Sequence, residues 1–81
     1  MLEIKNRWGD EMVVQLPSPI LIRNWRGTAI ANTKYFRLTP NGKSIEVFPC
    51  DTTGIRTAQV AIIKAVNYDK AMEMLDDYAL S

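Results

Sequence analysis

Residues 57–80 have the sequence TAQVAIIKAVNYDKAMEMLDDYAL, and they decide the fold that we predict for this chain. Residues 68–80 have the period of an amphipathic helix, in which side chains three and four positions apart share a face. The apolar stripe of this helix consists of Tyr68, Ala71, Met72, Leu75, Tyr78 and Ala79. Asn67 precedes the stripe and is a favoured N-cap, because its side-chain oxygen can accept hydrogen bonds from the first free backbone N–H groups. We therefore predict a helix over residues 68–80 that covers a sheet.

The first half of the stretch, residues 57–66, is compatible with a strand or a helix. On a helical wheel its polar residues Gln59 and Lys64, with Arg56 just before them, do not gather on one side. As a strand, the segment would be apolar on both faces and rich in β-branched residues, which is typical of a buried strand. One face would carry Val60, Ile62 and Val66, and the other Ala61, Ile63 and Ala65. We predict a strand over residues 57–66.

The first fifty residues predict short strands joined by tight turns. Residues 2–8 alternate between apolar and charged side chains, and Gly9-Asp10 supplies a turn into a returning strand at 12–16. Pro17-Ser18-Pro19 is expected to stop that strand, since proline cannot donate to a ladder. Residues 20–25 resume a strand and Arg26-Gly27-Thr28 forms a turn, while residues 29–33 could be strand or loop. Thr39-Pro40-Asn41-Gly42 is the strongest turn signal, so residues 34–38 and 43–48 form a second hairpin.

The sequence therefore predicts one α+β domain over residues 1–81. We expect a small antiparallel sheet of about four to six short strands, covered on one face by a single C-terminal helix. The expected core consists of Leu2, Ile4, Val14, Ile22, Phe36, Ile45, Val47, Ile62, Met72 and Leu75.

Composition narrows the class of protein further. The chain has 81 residues, of which 47% are hydrophobic and 23% charged, and this excludes an intrinsically disordered chain. It has one cysteine, so no internal disulfide can form. Its start has no signal-peptide core, and it has no apolar run long enough to span a bilayer. We expect a cytoplasmic protein with no membrane partner.

The residue types present in the chain also argue against an enzyme. The chain has no histidine, so the commonest general base at neutral pH is missing. Cys50 is expected to be a buried apolar residue, with activation by the cation of Arg56 as the alternative. The spacing of potential ligands does not match a transition-metal site. We therefore expect no catalytic activity, no metal and no cofactor.

Two groups of side chains are candidates for binding. Aromatic rings beside basic residues are the groups that stack on bases and contact phosphates, although such residues also serve as ordinary core and surface positions. These basic-aromatic candidates are Arg23, Trp25, Arg26, Tyr35 and Arg37. If their strands are neighbours, four of them (all but Arg26) could share one exposed face of the sheet.

The second group is the polar face of the predicted helix. Its carboxylates include like-charge pairs four positions apart, and two of them lie near the helix C-terminus, where negative charge is unfavourable. These acidic candidates are Asp69, Glu73, Asp76 and Asp77. They could be presented to a basic partner, or they could simply form a solvated face.

These observations predict a small, non-enzymatic protein-binding module whose partner the residues do not identify. Residues 1–50 carry seven basic and four acidic side chains, and residues 51–81 carry three and five, so the two halves have opposite net charge. Small proteins of this type are common among phages and mobile elements. From that class alone, we expect an inhibitor of a larger host complex, such as a defence system. The alternative function is a nucleic-acid-binding domain that uses the basic-aromatic residues. Self-association through a sheet edge is compatible with both.

Overall fold

The computed structural model describes residues 3–80, and the side chains of Glu3, Asn6, Trp8, Ala79 and Leu80 lie outside the description. Five strands are followed by one helix in this part of the chain: β1 (Glu3–Trp8), β2 (Glu11–Arg23), β3 (Ala29–Asn41), β4 (Ser44–Cys50), β5 (Ile63–Ala65) and α1 (Tyr68–Leu80). The strands form one sheet in the order β1-β2-β3-β4-β5, and all neighbours are antiparallel. The predicted α+β class is confirmed, with five strands and a C-terminal helix.

Both predicted hairpins are confirmed. A two-residue turn at Gly9-Asp10 joins β1 to β2, and a second at Gly42-Lys43 joins β3 to β4. Gly9 and Gly42 have φ values of 59° and 62°, which glycine adopts without steric cost. Positive φ at the first central residue alone is the pattern of a type II′ turn, whose twist matches that of the flanking strands. The second turn is shorter than expected, because Pro40 and Asn41 still pair with β4.

The predicted strand stop at Pro17-Ser18-Pro19 is wrong, because β2 continues through it to Arg23. The ladder itself is interrupted there. Gln15 pairs with Tyr35, and the next pair is Ile20 with Thr33, so β2 has several more residues than β3 between these two pairs. The prolines lie in this bulge and are exposed, where no ladder N–H is required. Residues 29–33, left open by the sequence, belong to β3.

The predicted strand over residues 57–66 is largely wrong. Only Ile63–Ala65 pairs with β4, and Ile63 and Ala65 are buried while Lys64 is exposed. Val60 and Val66 are 69% and 75% exposed, so the segment does not have two buried faces. The chain before β5 is irregular because residues 51–57 first turn back along β4. Arg56 forms an isolated bridge with Cys50, and the Thr57 N–H donates to the Pro49 carbonyl.

The helix packs on one face of the sheet and closes the core. Ala71 and Leu75 are fully buried against the strands, and Tyr68, Met72 and Tyr78 pack at the border. The Oδ1 atom of Asn67 accepts from the N–H of Lys70 at 2.8 Å, which confirms the predicted N-cap. The hydroxyl of Tyr68 donates to the carbonyl of Asp10, so the start of α1 is tied to the β1–β2 turn. Within residues 3–80, α1 is neither long nor apolar enough to cross a membrane.

Most of the predicted core is confirmed. The buried cluster consists of Met12, Val14, Leu16, Ile22, Phe36, Leu38, Ile45, Val47, Ile63, Ala65, Ala71 and Leu75, with Ile62 and Met72 partly buried against it. Ile4 was expected in the core but is 53% exposed, because β1 is an edge strand and the helix contacts mainly β5, β4 and β2. Leu2, which was also expected in the core, lies outside the described residues.

Candidate functional site

The turn between β2 and β3 is a compact structure held by its own hydrogen bonds. The Oδ1 atom of Asn24 accepts from the N–H of Arg26 at 2.9 Å and from the N–H of Thr28 at 3.0 Å. The Asn24 N–H donates to the Thr28 carbonyl, and the Gly27 N–H donates to the Asn24 carbonyl. Gly27 has a φ of 82°, which favours glycine. We call residues 24–28 the Trp25 turn.

This turn presents Trp25 to solvent. The side chain is 87% exposed, although tryptophan is on average one of the more buried residues. The guanidinium carbon of Arg26 lies 4.7 Å from the ring centroid, a cation–π distance. Arg23 Nη1 donates to the Gly27 carbonyl at 2.7 Å, so the Arg23 side chain is tied to the turn. The backbone that carries Trp25 is therefore fixed, while its ring remains uncovered.

An apolar cleft of about 630 Å³ lies beside the Trp25 turn. Three segments that are distant in sequence form it: the end of the β2–β3 hairpin, the chain before β5 and the last turns of α1. Its lining consists of Arg23, Asn24, Trp25, Ile30, Val60, Ala61, Ile62 and Tyr78. Trp25 and Val60 both expose apolar surface here, and clustered exposed apolar surface is typical of a binding site.

The charged groups on the Trp25 side of this apolar cleft are basic. Among the described residues that line it, Arg23 is the charged side chain, and Arg26 stacks on the Trp25 ring. Asp77, next to Tyr78 in sequence, is exposed and does not line the cleft. The cleft therefore combines apolar walls with a basic rim.

A second cleft, of about 760 Å³, is polar and lies on the sheet face opposite α1. It is lined by Asp10, Glu11, Arg37, Thr39, Pro40, Ile55, Arg56 and Gln59. The carboxylate of Glu11 accepts from Arg37 Nε at 2.9 Å, and its other oxygen lies 2.9 Å from Arg37 Nη2. Such two-point contacts are the strong form of an arginine–carboxylate pair. Arg37 Nη1 also donates to the Gly54 carbonyl, so this pair anchors the loop after β4.

The charges of Glu11, Arg37 and Arg56 in the polar cleft are engaged within the protein. The hydrogen bond from Arg37 holds the pKa of Glu11 below its usual value, and the same bond raises the pKa of Arg37. The guanidinium of Arg56 stacks on Phe48 at 3.9 Å and donates to the hydroxyl of Thr39. These contacts explain the polar cleft as part of the scaffold that fixes residues 51–57, so we regard the apolar cleft as the candidate site.

Cys50 is fully buried, as expected. Burial, followed by the negative charge of Asp51, raises the pKa of the Cys50 thiol to about 11. A thiol with this pKa is protonated at neutral pH and is a poor nucleophile. Within the described part of the chain, no group of three or more Cys, Asp or Glu side chains is placed to hold a metal ion.

The structure separates the basic-aromatic candidates into two groups. Arg23, Trp25 and Arg26 belong to the Trp25 turn, and Trp25 lies outside any strand. Tyr35 and Arg37 lie farther along β3, where Arg37 is bound by Glu11. Ala29 pairs with Arg23, and the six steps along β3 from Ala29 to Tyr35 span about 20 Å in an extended strand. The expected four-residue platform on one sheet face is therefore wrong.

The acidic candidates lie on the outer side of α1. Asp69, Glu73 and Asp77 are exposed, and Asp76 is partly buried. Lys70 Nζ lies 3.6 Å from Glu73, and the last turn of the helix contains no basic residue. These positions fit a solvated face, and their contact with a partner remains a prediction.

The residues of the apolar cleft that the sequence did not indicate are Asn24, Ile30, Val60, Ala61, Ile62 and Tyr78. Asn24 had a signal, because Asn24-Trp25-Arg26-Gly27 has asparagine and glycine at turn positions. Val60 and Ile62 had no such signal, since residue type alone does not show whether an apolar side chain is buried or exposed. Comparison of the chain with protein-family models, curated proteins and solved structures found no match.

Proposed function

We propose that the chain is a protein-binding module whose contact surface is the apolar cleft around Trp25. The observation that carries this proposal is the 87% exposure of Trp25 on a turn held by four hydrogen bonds within residues 24–28. Tryptophan, tyrosine and arginine are the residues that most often dominate the energy of protein interfaces. The cleft offers all three, in Trp25, Tyr78 and Arg23.

The rigidity of the turn supports binding in a second way. A side chain that is already fixed loses less conformational entropy when a partner covers it. The hydrogen bonds of the turn fix the backbone that carries Trp25, and the Arg26 guanidinium stacks on its ring, so part of this ordering precedes binding. Inhibition of a larger host complex is the narrower form of this proposal, in which the cleft engages and blocks a site on that complex.

Site-specific photo-crosslinking tests the proposal. A photoreactive residue at Val60 lies in the cleft, and the same residue at Lys43 lies in the turn at the other end of β3 as a matched control. We expect crosslinks to one protein partner from position 60 and not from position 43, and loss of these crosslinks in Trp25→Ala. Equal crosslinking from both positions, or recovery of nucleic acid alone, would contradict the proposal. An effect on the partner's activity would distinguish an inhibitor from an adaptor.

Single-stranded nucleic acid binding is the second candidate function. It is favoured by the Arg26–Trp25 stack, because an exposed ring beside a guanidinium can take a base and a phosphate. This function predicts that the affinity of the protein for nucleic acid falls steeply as the salt concentration rises. Titration with a homopolymeric oligonucleotide, followed through the Trp25 indole signal in NMR spectra, separates it from protein binding.

A further inference from the structure

We infer that the apolar cleft takes a short peptide segment in which a bulky apolar side chain lies next to a carboxylate. This inference rests on the proposed function and specifies the chemistry of the partner. It is carried by two properties of the same surface: its walls are apolar, and the charges at its rim are basic.

The apolar part of the occupant follows from the walls. Val60 is exposed by 69%, and the partly buried Ile30 and Ile62 also line the cleft. Trp25 and Tyr78 supply aromatic surface at this cleft. A leucine-sized or aromatic side chain placed here would remove apolar area from water on both sides of the contact.

The acidic part follows from the rim. Arg23 lines the cleft beside Trp25, Arg26 stacks on the Trp25 ring next to it, and no aspartate or glutamate of the described residues lines the cleft. Arginine's planar donors match the geometry of a carboxylate, whereas a lysine of the partner would meet two like charges. The partner's carboxylate belongs on this side, because the opposite wall, at Tyr78, adjoins the negative end of the α1 dipole and Asp77.

The size of the cleft indicates a segment rather than an extended face. A volume of about 630 Å³ lies within the range of pockets that enclose drug-sized ligands, so it accommodates a few residues of a peptide. A nucleic-acid strand fits less well, since it needs successive stacking faces along a charged groove. The apolar cleft offers two rings, those of Trp25 and Tyr78, its other apolar walls are aliphatic, and Arg23 is the charged residue among those of the described chain that line it.

Three short blocked peptides test the inference. All three carry leucines in the same positions, and the residues between them are glutamate, glutamine or lysine. Binding is measured from NMR shifts of the Trp25 indole and of the Val60 and Tyr78 amides. We expect the glutamate peptide to bind about three- to tenfold more tightly than the glutamine peptide, because two partly solvated charge contacts are worth about 1 kcal/mol. The lysine peptide should bind most weakly.

Variants of Arg26 assign the charge preference to the rim. Arg26→Lys keeps the charge and should keep the order of the peptides, whereas Arg26→Glu sets a negative charge beside Arg23 and should abolish the difference between the glutamate and lysine peptides. Lys43→Glu changes the net charge equally at the other end of β3 and should leave the order unchanged. Backbone NMR spectra that overlay outside the Trp25 turn establish that each variant is folded.

The other outcomes overturn the inference in distinguishable ways. If partner crosslinking depends on Trp25 but the three peptides bind equally, the charge inference fails and the proposed function stands. If no peptide shifts these signals, the inference fails. If no peptide shifts these signals, an oligonucleotide does shift them and no protein crosslinks at position 60, the proposed function fails too.

Discussion

The guanidinium carbon of Arg26 lies 4.7 Å from the centroid of the Trp25 ring, at the exposed end of the β2–β3 hairpin. Both residues belong to a turn whose hydrogen bonds all form within residues 23–28. The stack therefore does not depend on the packing of the core, and the surface can be altered without unfolding the protein. Its contributions to binding and to stability can be measured separately.

The Asn24 side chain should determine the order of the Trp25 turn. Asn24→Ala removes the acceptor of two backbone N–H groups, so we expect the order parameters of residues 25–28 to fall while those of β1 and β4 stay the same. Asn24→Asp keeps an acceptor oxygen and should retain the order. Measurement of ¹⁵N relaxation checks both variants, and unchanged values in Asn24→Ala would refute this role.

The Glu11–Arg37 pair should make part of the stability depend on pH. Because the pKa of Glu11 is lowered in the folded protein, its contribution is complete above the unfolded pKa of about 4.3 and is lost as pH falls through the folded pKa. Allowing for partial solvent exposure, we expect Glu11→Gln to cost about 1 kcal/mol at neutral pH. Urea unfolding of both proteins should show this difference shrink below about pH 4. A difference independent of pH would contradict the assignment.

The chain before the helix offers a direct contrast between a buried and an exposed residue. Ile63 is 7% exposed in the core, so Ile63→Ala should cost about 2–4 kcal/mol, whereas Val60→Ala should change stability by less than about 0.5 kcal/mol. Denaturant unfolding measures both. A large loss of stability in Val60→Ala would mean that residues 57–66 form the buried strand expected from the sequence.

The N-cap of α1 should contribute a measurable share of stability. Asn67→Ala removes the acceptor for the Lys70 N–H and should cost about 1 kcal/mol in thermal or urea unfolding. Asn67→Ser retains a capping oxygen and should recover most of the loss. Equal stability of the two variants would show that this hydrogen bond does not stabilise the helix.

Local patterns explain what could be predicted from the sequence. The bounds of α1 and its cap follow from residues within one helical stretch, and the hairpin turns follow from Gly9 and Gly42. The strand through Pro17 could not be predicted, because it depends on a bulge that shifts the register against β3. The exposure of Ile4 depends on its position in an edge strand, which is set by the strand order of the whole sheet.

The candidate site was less predictable because its decisive contacts are distant in sequence. Trp25 and Arg23 could be selected as candidates, but the cleft also needs Val60 and Tyr78, which approach only in the folded chain. Arg37 was a candidate for binding, and its pairing with Glu11, 26 residues away, leaves no local signal. The apolar, β-branched composition of residues 57–66 was misleading, since Val60 is apolar but lines the cleft.

The affinity of Trp25→Ala for the partner captured through position 60 tests the central claim most directly. Isothermal titration should show a loss of about 30-fold or more relative to the unaltered protein, the effect of losing a residue that contributes at least 2 kcal/mol. Unfolding curves should be unchanged, because Trp25 is 87% exposed. Binding of Trp25→Ala with the affinity of the unaltered protein would contradict the claim that this cleft is the contact surface.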